Sequence, residues 1–152
     1  MTTYMIVEDE PDLYDMLMAM SSVLGVDEVA FSTGEEAVMW IEEADAGHFE
    51  EEIPVLALID LRLPGAIDGV MVAEQLRQSN HLSNMAVVLM TAFHLSPAEE
   101  RDSMERADAD LLIYKPLPSF PELRDILRSI ARERKGNMHS KAPRRRRVMR
   151  KH

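Results

Sequence analysis

The chain has 152 residues, carries a net charge of −10, contains 46% hydrophobic residues and has no cysteine. The length predicts one domain with a tail, and the lack of cysteine excludes a disulfide framework and a thiolate metal site. No run of about 18 apolar residues occurs, and no basic segment precedes an apolar one at the N-terminus. We therefore expect a soluble cytoplasmic protein without a membrane span.

The charge is divided unevenly along the chain. Residues 1–135 carry 10 basic and 27 acidic side chains, whereas residues 136–152 carry 7 basic side chains and no acidic one. This pattern predicts an acidic globular domain over 1–135 and a basic, disordered C-terminal tail over 136–152. The domain should not bind nucleic acid. The tail could be solvated, fold back on the acidic domain, or contact a nucleic acid or an acidic partner.

Apolar runs of strand length alternate with segments of helical period. The predicted strands are residues 3–7, 28–31, 54–60, 86–90 and 111–114, and the helices that follow them begin near Pro11, Thr33, Val70, Ser96 and Ser119. Four of the strands are continuously apolar, whereas residues 28–31 alternate as an edge strand does. The pattern predicts an α/β fold, a flavodoxin-like five-stranded parallel sheet in the order 2-1-3-4-5 with helices on both faces.

Polar side chains follow four of the predicted strands. Glu8 and Asp9 follow the first strand, Asp60 ends the third, Thr91 the fourth and Lys115 the fifth. Because the carboxyl ends of parallel strands share one edge, we expect these side chains to lie together. Three crowded carboxylates favour a divalent cation such as Mg²⁺, and a lysine with a hydroxyl suits an oxyanion. The set predicts transfer of a phosphoryl group to Asp60.

At these positions the sequence resembles the receiver domain of bacterial two-component response regulators, over roughly residues 3–135. The motifs are Val7-Glu8-Asp9-Glu10, Ile59-Asp60-Leu-Arg-Leu-Pro-Gly65, Met90-Thr91-Ala92 and Tyr114-Lys115-Pro116. Each motif is weak alone, but four of them in order at successive strand ends are specific.

The resemblance implies a role for each of these residues around the metal. Asp60 would be the phospho-acceptor and a metal ligand, and Asp9 would bind Mg²⁺ directly. Glu8 would act on the metal through water, and the backbone carbonyl of Arg62 would complete the protein ligands.

The resemblance also implies the groups that contact the phosphoryl oxygens. Thr91 would donate a hydrogen bond to them, and Lys115 would pair with their charge. The Lys115–Pro116 bond is expected to be cis, which costs little before proline.

Two features depart from the family pattern. The turn Leu63-Pro-Gly-Ala-Ile-Asp-Gly69 is one residue longer than the usual one. Leu112 stands where the family often carries an aromatic switch residue, and the aromatic side chain lies instead at Tyr114.

Our first hypothesis is a stand-alone receiver that is not an enzyme beyond its own phosphorylation and dephosphorylation. A histidine kinase or a histidine phosphotransfer protein would supply the phosphoryl group. The output would be a protein contact through the fourth helix, fifth strand and fifth helix, or relay of the phosphoryl group.

Other interpretations compete with this hypothesis. A nucleic-acid-associated protein could bind through the arginine-rich tail, with the receiver as modulator. A Mg²⁺-dependent phosphohydrolase is disfavoured because such enzymes on related folds carry Asp-x-Asp, whereas Leu61-Arg62 follows Asp60. The simplest structural alternatives make Asp60, Thr91, Glu8 and Asp9 caps of strands, turns or the first helix, and Lys115 a solvated side chain.

Overall fold

Strands and helices alternate through the chain in the computed structural model, which describes residues 2–47, 52–137 and 146–150. In chain order the elements are β1 (Thr3–Val7), α1 (Pro11–Leu24), β2 (Asp27–Phe31), α2 (Gly34–Asp45), β3 (Leu56–Asp60), α3 (Gly69–Gln78), β4 (Ala86–Thr91), α4 (Pro97–Ala107), β5 (Leu111–Tyr114), α5 (Phe120–Asn137) and β6 (Arg147–Met149).

The strands form one parallel sheet in the order β2-β1-β3-β4-β5-β6. The predicted α/β class and the five-strand order 2-1-3-4-5 are therefore confirmed, and the structure adds a sixth strand at the β5 edge. The continuously apolar strands β1, β3, β4 and β5 are buried along their whole length, whereas β2 at the opposite edge is only half-buried.

Two apolar clusters cover the faces of the sheet. One lies under α2, α3 and α4 and includes Trp40, Leu76 and Met104, and the other lies under α1 and α5 and includes Leu17 and Leu127. The sheet is thus a middle layer whose helices leave only its strand ends and edges open. Within the described residues, no helix has the length and apolar character needed to cross a membrane.

Helices α1, α2, α3 and α4 begin with capping side chains. The Glu10 carboxylate accepts hydrogen bonds from the backbone amides of Asp12 and Leu13 at the start of α1. The alternative in which Glu8 and Asp9 cap this helix is therefore wrong. Because Glu10 satisfies the first amides, those two carboxylates are left for other partners.

The prediction of a disordered tail over residues 136–152 is wrong for the part of the tail that is described. Helix α5 continues to Asn137, and residues 147–149 form β6 parallel to β5. The sequence gives little indication of this strand because it has only three residues. Val148 packs against one apolar cluster and Met149 against the other. Residues 138–145, 151 and 152 lie outside the described residues.

Candidate functional site

The carboxyl edge of the sheet collects all the side chains that the sequence places at strand ends. Glu8 and Thr91 are fully buried, Asp60 is 6% exposed, and Asp9 is exposed at the surface. Lys115 is half-buried beside them. Register explains the convergence, because Asp60 pairs with Met90 and Thr91 pairs with Tyr114, the residue before Lys115.

The Lys115 ammonium joins the two buried carboxylates. Its Nζ lies 2.7 Å from Glu8 Oε1 and 2.6 Å from Asp60 Oδ2. Buried charged groups are strongly destabilising unless they are paired and hydrogen-bonded, as these three are. The alternative of a solvated surface lysine is therefore wrong. The following Lys115–Pro116 bond is cis, as predicted.

Both oxygens of the Asp60 carboxylate are held. Oδ2 accepts from Lys115, and Oδ1 accepts from the backbone amide of Arg62 at 2.9 Å. A carboxylate restrained at both oxygens has a defined orientation at the end of β3, as a nucleophile that must attack in line requires.

Three acidic side chains offer a ligand set for a cation. One oxygen each from Glu8, Asp9 and Asp60 lies within 4.8 Å of the other two. Oxygen-only ligands from carboxylates suit a hard divalent cation, and Mg²⁺ in particular tolerates one or two carboxylates with water completing its shell. The residues present therefore fit Mg²⁺. Metal ligation by the Arg62 carbonyl remains a prediction from the sequence.

The crowded site changes the protonation of Glu8 and Lys115. Burial, and then the hydrogen bond and negative charge of Asp60, raise the pKa of Glu8 to about 7, against the opposing effect of Lys115. Burial acts to lower the pKa of Lys115, but its hydrogen bonds to Asp60 and Glu8 outweigh this and raise it. The site thus holds a permanent cation between two carboxylates, of which Glu8 accepts a proton readily.

Thr91 and two neighbours form the mouth of the site. The Thr91 hydroxyl oxygen accepts from the backbone amide of Phe93 at 3.1 Å. The Phe93 ring is 51% exposed, and the Arg62 guanidinium lies 4.4 Å from its centre. This cation–π contact joins the loop after β3 to the loop after β4.

Comparison with known proteins agrees with this geometry. Residues 4–128 match the family model of the response regulator receiver domain. The chain belongs to the response regulator receiver domain family of two-component systems.

The sequence is also similar to a curated protein. A protein from Porphyridium aerugineum called a probable transcriptional regulator, ycf27, is 30% identical over 128 residues, covering 84% of this chain and 47% of the relative. This receiver therefore spans about half the length of the curated relatives that it matches.

Two crystal structures share the fold. A CheY-like receiver domain protein from Methanospirillum hungatei aligns with a TM-score of 0.73 at 21% identity, covering 90% of this chain and 98% of that one. The receiver domain of a sensor histidine kinase from Pseudomonas aeruginosa, solved with a magnesium ion in its active site cleft, aligns with a TM-score of 0.69 at 24% identity and covers 86% and 97%.

The long loop between β3 and α3 of this receiver is held by a residue that sequence reasoning missed. Glu35 of α2 accepts from the backbone amide of Ile67 at 3.0 Å. Its carboxylate also lies against Gly65, which has a φ of 84° and where a Cβ would come 2.8 Å from Glu35 Oε1. The extra residue in this turn is therefore accommodated by a contact to the neighbouring helix, and Arg62 keeps its bond to Asp60.

Tyr114 of the receiver also has a partner that the sequence did not reveal. Its hydroxyl donates to Glu100 Oε1 of α4 at 2.7 Å. Glu100 is only 8% exposed, which is unexpected for a charged residue in a helix that reads as polar and solvated. Glu99, three positions after Ser96, is the glutamate of the capping box at the start of α4. Nothing in the sequence therefore distinguished the next residue, Glu100, as a buried one.

We predict that Glu8→Gln removes a pH dependence from the stability of the metal-free receiver. Because the folded-state pKa of Glu8 is raised to about 7 from 4.5, the folded protein binds more protons than the unfolded chain between these values. Stability should therefore fall as the pH rises from about 5 to 8, by up to about 3 kcal/mol for this one group.

Urea unfolding in a metal chelator at pH 5 and pH 8 measures this effect. The Glu8→Gln protein should lose most of the difference between the two pH values. Glu43→Gln, on the exposed side of α2, is the control and should keep it. An equal pH dependence in all three proteins would contradict the assignment to Glu8.

Proposed function

We propose that this receiver accepts a phosphoryl group on Asp60 from a histidine kinase or a histidine phosphotransfer protein, with Mg²⁺ as cofactor. The supporting observation is the orientation of Asp60, whose carboxylate is held by Lys115 and by the Arg62 amide beside the carboxylate cluster. It is not an enzyme toward other substrates, because the acceptor is its own side chain. A cytoplasmic location remains a prediction from the sequence.

The proposed reaction requires binding of Mg²⁺ and attack of Asp60 on the phosphorus atom of the donor. Glu8, Asp9, Asp60 and the carbonyl of Arg62 would hold Mg²⁺, which when bound neutralises charge on the transferring phosphoryl group. An Asp60 carboxylate oxygen forms the new bond to phosphorus while the bond from phosphorus to the histidine nitrogen of the donor breaks. The histidine nitrogen keeps the electron pair of that bond.

Two further side chains would stabilise the acyl phosphate. Lys115, now between Glu8 and Asp60, would pair with the negative oxygens of the phosphoryl group. Thr91 accepts from the Phe93 amide, so its own hydroxyl hydrogen can be donated to a phosphoryl oxygen. Later attack of water on phosphorus returns the Asp60 carboxylate and releases phosphate.

Asp60→Ala is expected to abolish phosphorylation. Acetyl phosphate and Mg²⁺ should add one phosphoryl group to the native chain, as measured by intact mass, and none to the variant or in a metal chelator. Asp125→Ala, which changes an exposed aspartate of α5, should be phosphorylated like the native chain.

A beryllofluoride titration separates the two explanations of a missing adduct. Saturable binding that requires Mg²⁺ and Asp60 would show an acceptor whose acyl phosphate hydrolyses quickly. Neither an adduct nor beryllofluoride binding would overturn the proposal.

The output is proposed to be a protein contact through α4, β5 and α5, or relay of the phosphoryl group to another protein. The curated relatives are called transcriptional regulators, so a role in controlling transcription is one outcome of such a contact. Stand-alone action remains a prediction from the sequence.

Binding of nucleic acid by the tail is not part of the proposal. Arg146, Arg147 and Arg150 each pair with an acidic residue of the domain itself. These contacts support the interpretation in which the tail folds back on the acidic body.

A further inference from the structure

Strand β6 covers the β5 edge of the sheet. It lies parallel to β5, with Val148 opposite Leu112, and the Arg147 amide donates to the Asp110 carbonyl at 3.1 Å. An open strand edge pairs readily with any extended chain that reaches it. In this receiver the chain's own C-terminal segment, residues 146–150, takes that place.

Charge as well as backbone pairing holds the segment. Three acidic residues surround the β5 edge, one on α4, one in the turn before β5 and one on α5, and each accepts from one arginine of the segment. The pairs are Arg150 with Glu100 at 2.7 and 3.0 Å, Arg146 with Asp108 at 2.8 Å, and Arg147 with Glu133 at 2.8 Å.

The Glu100 contact is the most specific of the three. Arg150 binds both carboxylate oxygens, the geometry that a guanidinium prefers. Glu100 is buried and its Oε1 also accepts from the Tyr114 hydroxyl. The acidic anchor is thus positioned by the domain, and a guanidinium is the partner that it suits.

The packing around β6 is loose. Val148 and Met149 are only half-buried, whereas all four residues of β5 are buried. Pockets of about 200 Å³ on the α4 side, lined in part by Met104 and Val148, and about 290 Å³ on the α5 side, lined in part by Ile130 and Met149, flank the strand. Side chains in a protein core are close-packed, whereas β6 is flanked by these clefts, so it gains little stabilisation from apolar contacts.

We propose that the β5 edge, with its acidic rim, is a docking surface for an extended basic segment of the downstream partner, and that residues 146–150 occupy it in cis as a competing strand. The partner segment would add in parallel to β5, with two apolar residues over the pockets and an arginine on Glu100. This inference rests on the proposed use of the α4, β5 and α5 surface for output. The β-addition mode takes affinity from the backbone and specificity from side chains.

Competition in cis should be strong. Only residues 138–145 separate α5 from the strand segment. A short tether gives a bound segment an effective concentration on the order of millimolar. A partner segment of similar intrinsic affinity must therefore overcome the tail, and release of the tail would raise its apparent affinity by roughly tenfold or more.

A peptide that copies residues 146–150 (Arg-Arg-Val-Met-Arg), carrying a fluorescent label, tests the proposal on the full-length protein. An open variant, Arg147→Pro with Arg150→Ala, removes the Arg147 amide donor and two ion pairs of the segment. Anisotropy titrations should show that the peptide binds the open variant at least about tenfold more tightly than the native chain. Arg132→Glu, on the exposed surface of α5, should bind it like the native chain.

A charge reversal supplies the control for specificity. Glu100→Arg added to the open variant should abolish binding of the basic peptide, and a peptide whose last arginine is replaced by glutamate should bind again. Equal affinity of the peptide for the open variant and the native chain would overturn the proposal.

Hydrogen exchange of the backbone amides of residues 111–114 provides a second test, which can be used if peptide binding is weak. These amides should exchange faster in the open variant and slow down again with saturating peptide. Unchanged protection would show that β6 does not cover the edge, and a dimer of the open variant that blocks the peptide would assign the edge to a second copy. None of these measurements involves phosphorylation, so their failure is distinguishable from failure of the Asp60 assignment.

Discussion

Gly69→Ala should destabilise the receiver by about 3 kcal/mol or more and displace the end of β3. A Cβ at Gly69 would lie 2.0 Å from the Asp60 carbonyl oxygen, 2.8 Å from its carbonyl carbon and 2.9 Å from the Leu61 Cα. These are backbone atoms, so no side-chain rotation relieves the overlap. The start of α3 or the end of β3 has to move, and Asp60 moves with it.

The reason for glycine here is space rather than backbone conformation. Gly69 is the first residue of α3, and its amide donates to the Leu61 carbonyl at 3.1 Å. The helix start therefore lies directly behind the proposed acceptor. Urea unfolding measures the loss of stability, and beryllofluoride titration measures the distortion of the site.

Gly136→Ala is the matched control. Gly136 lies in α5, and among the described residues no atom outside the nearby backbone of its own helix stands within 4 Å of the position of an added Cβ. Alanine at such a helical site should be neutral or stabilising by about 0.5–1 kcal/mol. Similar unfolding midpoints for the two variants would refute the proposed overlap at Gly69.

Lys115→Met should cost the metal-free receiver about 3–5 kcal/mol near neutral pH. The substitution keeps much of the side-chain length but removes the cation from between Glu8 and Asp60, which are both buried. Two uncompensated carboxylates would then share a poorly solvated site. A buried charge that has lost its partner is far more costly than an exposed ion pair is favourable.

The expected pH dependence follows from the raised pKa of Lys115. A lysine whose folded-state pKa is above its unfolded value contributes stability that is present below about 10.5 and lost above the folded value. The native chain therefore keeps this contribution from pH 5 to 8. In Lys115→Met, stability should fall more steeply over that interval than in the native chain, because Glu8 then ionises without a cation beside it, and saturating Mg²⁺ should restore most of the loss.

Urea unfolding at pH 5 and pH 8, with and without Mg²⁺, measures these effects. Lys135→Met, an exposed lysine near the end of α5, is the control and should change stability by less than about 0.5 kcal/mol. A loss in Lys115→Met that is independent of both pH and Mg²⁺ would indicate a packing defect rather than uncompensated charge.

Local sequence features were sufficient for the five central strands of the sheet and for the side chains at their carboxyl ends. The buried strands are continuous apolar runs, as strands covered on both faces must be, and this determines their parallel arrangement. Once the strands are parallel, Asp60, Thr91 and Lys115 must share one edge, because each lies at or just after the carboxyl end of its strand.

The partners of these side chains could not be read from the same pattern. Nothing in the spacing shows that Lys115 contacts Glu8, which is 107 residues away, or that Glu10 caps α1. Both contacts depend on which way each side chain points at the strand end, and sequence order does not contain that information.

By itself, then, the sequence determined the layered α/β fold, the order of its five central strands and the identity of the residues at the candidate site, since these depend on periodicity and chain order. Only the tertiary structure decided where residues 146–150 lie and that Glu100 is buried. A three-residue strand has too little apolar period to be detected, and it forms because Arg146, Arg147 and Arg150 meet acidic residues that folding brings to the β5 edge. Charge complementarity between segments distant in sequence exists only after the chain has folded.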